Sequence, residues 1–216
     1  LDRDIGAFIG QEAMHSKAHA DFNDAWRRDD YNLDSFQAWL ARRDAFIKNA
    51  HPKLQLAVTA SFEHFTALLG GYILRHPEVL STLDDDAIKL WVWHAIEEIE
   101  HKAVAYDTYL QATRDITPFR RWLKRCVVMG VTTVRFHYVI FRNTADLLRQ
   151  DQRNDWATWK VLLAYLYGRG GAMRHLILSI GSYMRPGFHP WDEDDRDLLQ
   201  QALKRLEASK PRELWA

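Results

Sequence analysis

Sparse punctuation constrains this chain more than any other feature. Its 216 residues include six prolines and ten glycines. Between them run long stretches with apolar residues at helical spacing, and alternating β-type runs are rare. A chain of this kind folds by packing helix on helix. The spacing predicts helices over about 2–27, 33–49, 52–75, 84–113, 118–149, 155–168, 171–184 and 192–209. Pro52 and Thr117-Pro118 open two of them, where a missing backbone N–H costs nothing. The Ser/Thr/Asp run in "STLDDDAIKL" starts another. "RPGFHPW" (185–191) reads as a loop, because two prolines and a glycine stop a helix. No internal repeat or linker divides the chain. The expected class is all-α: one domain over 1–216, a four-helix bundle core with additional C-terminal helices.

The chain is 47% hydrophobic and 27% charged, enough apolar surface for a sizeable core. Lys+Arg equals Asp+Glu, so no global field draws in nucleic acid or an anionic membrane. There is no Gly-rich phosphate loop, Ser-His-Asp order, zinc-type cysteine cluster or basic-aromatic stripe. The single cysteine, Cys126, excludes an internal disulfide framework. "LDRDIGAFIG" has neither the basic start nor the apolar run of a signal peptide, and a cytoplasmic location is expected. The longest apolar stretch, "CVVMGVTTVRFHYVIF" (126–141), is shorter than the ~20 residues that span a bilayer, and Arg135 and His137 interrupt it. It is expected to be a buried helix. Arg120, Arg121, Lys124 and Arg125 beside it keep membrane contact as the lesser reading.

The chemistry gathers on three predicted helices. In "FIGQEAMHSKAH", Glu12, His15 and His19 lie within about 60° on one face. In "WHAIEEIEHKAV", His94, Glu98 and His101 stand at i, i+4 and i+7, again within about 60°. Glu97 borders that stripe and Glu100 points away. The helix between adds Glu63 in "TASFEHFTALLGG", on a face with Thr59, Ala60, Thr66, Ala67 and Gly70. Small residues around a lone carboxylate predict close helix packing, or room for something that is not protein.

Glu-x-x-His thus occurs twice, on separate helices, with a single Glu between. Dimetal carboxylate bundles use Glu, Glu-x-x-His, Glu, Glu-x-x-His, all pointing inward. Two divalent cations about 3.5–4 Å apart repel strongly, so several carboxylates must neutralise and bridge them while imidazoles complete the shell. Oxygen and nitrogen donors suit two iron ions, with manganese or a mixed pair as alternatives. The expected ligands are Glu12, His15, Glu63, Glu98 and His101. The first Glu of the order has no counterpart here and is expected upstream of Leu1. Glu97 competes with Glu98 as a ligand, or acts as acid or base. His94 is a ligand or a neighbour of one. His19 is expected behind the ligands, and Thr66 either lines an oxygen pocket or packs. His64, His137 and His175 are expected as hydrogen-bonded core residues, and His189 as the residue ordering a loop over the site.

"FIGQEAMHSKAHADFN", "FEHFTA", "WHAIEEIEHKAVAYD" and "YMRPGFHPWDEDD" resemble the bacterial family of predicted metal-dependent hydrolases. The resemblance covers roughly 8–110 and 175–200. It implies a ferritin-like dimetal-carboxylate site and an upstream Gly-Glu segment that would supply the missing glutamate. At the site alone, His94-x-x-x-Glu98-x-x-His101 is similar to the helix that gives di-iron arylamine N-oxygenases a third histidine, which implies His94 as a ligand.

Three functions compete. The first is a di-iron oxygenase or oxidase that activates O2 against a small apolar or aromatic substrate, with an unidentified electron donor. The second is a hydrolase using metal-activated water, with Glu97 as its acid or base. The third is metal storage or a merely structural charge cluster. The ligand order favours the first, with hydrolysis as the alternative. Storage fits least, because histidines are many and no acidic channel stands out. A homodimer is left open.

Overall fold

The computed structural model describes residues 1–28 and 30–208. Position 209 and the side chain of His175 lie outside the described residues. The protein is all-α, with no strand among the described residues. In chain order the helices are α1 (Asp2–Arg28), α2 (Asp34–Lys48), α3 (Pro52–Arg75), α4 (Asp85–His101), α5 (Val104–Ala112), α6 (Pro118–Gln150), α7 (Trp156–Tyr167), α8 (Ala172–Tyr183) and α9 (Arg196–Ala208). Short 3-10 turns occupy Pro77–Leu80 and Pro190–Asp192. No helix among the described residues is long and apolar enough to cross a membrane.

The starts follow from local chemistry. Asp84 caps α4 by accepting from the backbone N–H of Asp86 and Ala87 at 3.0 and 2.8 Å. Asp85 and Asp86 then add charge of the sign that the helix N-terminus favours. Asp155 caps α7 in the same way through Thr158 at 2.9 Å. Pro52 and Pro118 stand in the first turns of α3 and α6.

One predicted helix, 84–113, is two in the structure. The ladder breaks at Lys102–Ala103 and restarts at Val104. The break coincides with a buried ion pair. Lys102, 4% exposed, donates to Asp195 at 2.7 Å and to the Glu193 carbonyl at 2.7 Å. Its ammonium lies 4.3 Å from the centre of the Trp191 ring, and Arg75 also binds Asp195. The segment 185–196 is thereby a strap. Arg125 holds its start through the Arg185 carbonyl at 2.8 Å, and Tyr106 donates to the Phe188 carbonyl. His189 accepts from the Trp191 N–H and also faces Asp107, each at 3.2 Å. His189 therefore orders the strap against α5.

The helix α3 is the axis of the fold. Its apolar residues join Met129, Leu176, Ile180 and Tyr183 in one core and Val92, Ile96 and Ile99 in another. Gly70 sits where α3 meets α4 most closely: a Cβ there would lie 2.9 Å from the Ala95 carbonyl oxygen and 3.1 Å from its Cα. Backbone cannot yield as a flexible side chain does. Gly70→Ala is expected to lower stability by about 1–3 kcal/mol, read by denaturant melts; an unchanged midpoint would show that α3 and α4 are not held this closely.

The expectation of a buried helix at 126–141 is corrected. Only Met129 and Thr132 of that stretch are buried, whereas Val127, Val131, Val134 and Tyr138 are exposed. The stretch supplies one packing face to the core, and its apolar residues continue around to the opposite side. His137 is half-buried and bonds the Thr133 carbonyl one turn back at 2.9 Å. His64 is buried in the core, as expected, with Nε2 at 3.3 Å from the Ser179 carbonyl.

Candidate metal centre

Three helices converge on one cluster. From α1 come Glu12 and His15, from α3 Glu63 and Thr66, and from α4 His94, Glu97, Glu98 and His101. His15 is the only buried residue of α1 among the described residues. The closeness of α3 and α4 at Gly70 brings the other carboxylates together.

The distances make a continuous network. His101 Nδ1 lies 3.1 Å from Glu63 Oε2, and His94 Nε2 lies 3.1 Å from Glu98 Oε1. His15 Nδ1 faces Glu12 Oε1 at 3.4 Å and Glu98 Oε1 at 3.6 Å. His15 Nε2 approaches Glu97 Oε2 at 2.8 Å, and His101 Nε2 approaches Glu12 Oε1 at 3.9 Å. Three donor triads each fit within 4.8 Å: Glu12/His15/His101, His15/His94/Glu98 and Glu63/Glu98/His101. The five expected ligands and His94 all fall into these triads.

The remaining expected residues stand around them. Thr66 donates its hydroxyl to Glu98 Oε2, which leaves Glu98 Oε1 toward the histidines. His19 Nε2 is 3.3 Å from His94 Nδ1, so it orients His94 from behind. Glu97 and Glu98 both reach the cluster; the adjacent positions straddle the stripe. Glu100 is exposed.

Within the cluster four buried atoms have no hydrogen-bond partner: Glu12 Oε1, Glu97 Oε2, His15 Nε2 and His101 Nε2. His15 Nε2 and Glu97 Oε2 are close, but they do not meet along a donor axis. An unsatisfied buried polar group costs about 1–3 kcal/mol. All four are of metal-ligating type, and three of the residues, Glu12, His15 and His101, make up one of the donor triads, so a bound cation would satisfy the donors it reached. Solvent reaches the cluster past Glu12, whose side chain is 40% exposed. The side chains of His15, Glu63, Glu98 and His101 are 8% exposed or less.

The electrostatics agree. Burial, with help from Glu12, pushes the Glu63 carboxyl up to about 8. Burial and Glu63 push Glu98 up to about 7, against the Thr66 hydrogen bond. Burial, then His15, His19 and His101, push His94 down to about 3. Burial also lowers His101. For His15 burial is again the largest influence and acts downward, but Glu12, Glu98 and Glu97 together outweigh it and raise the group. Without a cation, burial favours the protonated forms of Glu63 and Glu98 and the neutral forms of His94 and His101; nearby positive charge would reverse the carboxyl shifts.

These shifts set a pH dependence for protein stripped of metal. Glu63 and Glu98 titrate higher folded than unfolded, so the folded form binds more protons and stability falls as pH rises. His15 acts in the same sense above its ordinary 6.5. His94 and His101, both lowered, act oppositely, but their contribution fades as pH rises past that same value. From pH 6.5 to 8 the metal-free protein is therefore expected to lose about 1–2 kcal/mol, and Glu63→Gln to flatten most of that slope. Thermal melts of chelator-treated protein measure this; a rising curve over the window would contradict the buried carboxyl arrangement.

A family profile described as predicted metal-dependent hydrolase matches residues 1–194. No curated protein and no solved structure matches the chain. With a profile that spans all of the converging helices and most of the strap behind them, the chain belongs to the family of predicted metal-dependent hydrolases.

Proposed function

We propose that the protein is a hydrolase whose carboxylate–imidazole cluster holds two adjacent divalent cations, iron or manganese, in a ferritin-like arrangement. His15, His94 and Glu98 would hold one ion and Glu63, Glu98 and His101 the other, with Glu98 shared and Glu12 set between His15 and His101. The observation that carries the reading is the convergence of six donors from three helices into three overlapping triads, with buried atoms of Glu12, His15 and His101 left without a hydrogen bond. The family description favours hydrolysis over O2 activation, the reverse of the order drawn from ligand spacing alone.

Bound divalent ions would polarise a scissile carbonyl or phosphoryl group and acidify a water. The chain's own residues do the rest. Glu97 has one buried oxygen without a partner, beside His15, and serves as the base that takes a proton from water and returns it to the leaving group. Thr66 fixes the orientation of Glu98, and His19 fixes that of His94. Glu12 lines the solvent approach, so substrate enters on its side.

Metal analysis of the purified protein, followed by ester and phosphate hydrolysis under argon, tests the reading. Metal-dependent cleavage without O2 is the expected result. Consumption of O2 with a new optical band, and no hydrolysis, would replace it with O2-activating chemistry.

A further inference from the structure

The helix α6 has two faces of different use. Arg125, Met129 and Thr132 are buried against the core. On the opposite side Phe119, Leu123, Val127, Val131, Val134 and Tyr138 form an exposed stripe, with Val134 71% and Tyr138 63% exposed. At 1.5 Å per residue the stripe runs about 30 Å. An apolar stripe of this length on a surface helix marks a contact with another phase or another molecule. Beside α6, α7 packs through Phe141, whose ring stacks on Tyr167 at 6.4 Å. None of the residues of α7 is buried, and Trp156 and Tyr165 are 76% and 60% exposed.

Charge selects the partner. No Asp or Glu occurs between Pro118 and Ala145, or between Trp156 and Trp191. Over 116–191 there are twelve Lys and Arg against three Asp, so the neutral chain is polarised and the remainder carries the opposite excess. Arg120, Lys124 and Arg135 are exposed along the border of the stripe. Two copies meeting through this face would set like charges against each other. An anionic lipid surface satisfies both parts: the apolar stripe enters the acyl boundary and the cations meet the headgroups. Trp and Tyr on α7 are of the type that settles at headgroup depth.

We propose that α6, with α7 beside it, is a docking surface that lies in the plane of an anionic lipid bilayer. The inference is independent of the metal chemistry. Co-sedimentation of the full chain with phosphatidylcholine vesicles containing about 30% phosphatidylglycerol tests it. Binding is expected, and vesicles of phosphatidylcholine alone should retain far less protein. Raising salt from about 0.1 to about 1 M shortens the screening length from about 10 to about 3 Å and should weaken binding. The triple variant R120E/K124E/R135E is expected to lower the partition coefficient by roughly a hundredfold or more. V127E/V131E should lose binding while keeping wild-type helix content and metal content. Equal sedimentation of V127E/V131E and wild type would overturn the proposal, as would equal binding to neutral and anionic vesicles. A solution dimer that V127E/V131E dissociates, with no vesicle binding, would assign the face to a second copy and overturn it too.

Discussion

Glu98→Gln is expected to strip the centre of most of its metal while leaving the fold intact. Glu98 belongs to two of the three donor triads and is the residue they share across the cluster. Losing an outer partner of a ligand typically costs 10–100-fold in metal affinity, and losing this shared carboxylate should exceed about a hundredfold. Each hundredfold in affinity removes about 2.7 kcal/mol of the stabilisation that bound metal confers. The metal-free variant should behave in the opposite sense. Its parent carries two buried carboxyls held up to about 8 and about 7. Glutamine removes one ionisation that burial opposes, and it keeps the shape that Thr66 contacts. At pH 8 the stripped variant is therefore expected to match the stripped parent or exceed it by up to about 1 kcal/mol. Metal content by mass spectrometry and paired melts with and without metal give both readings. A variant that keeps its metal, or one that loses several kcal/mol when stripped, would mean that Glu98 is a structural group.

The second large effect lies behind the site. Asp195→Ala leaves the Lys102 ammonium buried with only the Glu193 carbonyl and the Trp191 ring. Removing one partner of a buried ion pair costs about 3–5 kcal/mol. For a chain of this size each kcal/mol is worth about 2–4 °C, so the melting temperature should fall by roughly 10 °C. Lys102→Met should cost less, because Asp195 still has Arg75. The double variant Lys102→Met/Asp195→Leu should recover part of the loss, since it leaves no unpaired charge. Unfolding curves of the three decide the matter; equal losses in all three would show that packing, and not charge, is what the pair contributes. Lys102 directly follows His101 at the helix break, so Asp195→Ala is also expected to loosen the metal. Its position explains why "PGFHPWDEDD" matters to a cluster it does not touch: the strap holds the backs of the elements whose fronts carry Glu63 and His101.

Several elements were legible because they depend only on neighbours in the chain. Helix starts at Pro52, Asp84 and Pro118 follow from backbone donors and nearby caps. The stripes Glu12–His15 and His94–Glu98–His101 follow from helical geometry, which places them before any fold is known. The small residues near Glu63 left close packing and open space as alternatives, and which helix would approach at Gly70 could not be read. In the sequence Thr66 reads either as pocket lining or as packing, because a short polar side chain at helical spacing carries no direction. Its hydroxyl gains a role only when Glu98 arrives from α4. Sequence spacing preferred Glu98 over Glu97, yet adjacent residues on one helix can border the same cleft, and both do.

Where sequence reasoning failed, distance along the chain was the cause. The break after His101 coincides with the pairing of Lys102 to Asp195, 93 residues away, and nothing in "IEHKAVAYD" announces that contact. Burial of 126–141 was inferred from apolarity, but apolarity reports a preference and not a partner, and α6 has more apolar faces than the core can cover.

By itself, then, the order of amino acids determined that the chain is helical, where most helices begin, and which acidic and imidazole groups share a face, since those depend on bond geometry and contacts a few residues apart. Only the tertiary structure decided that three such faces meet, which oxygen of Glu98 is free, how the strap fastens the helix break, and which side of α6 is left to solvent. Those outcomes turn on groups far apart in sequence competing for the same buried space, and local preference does not encode the winner.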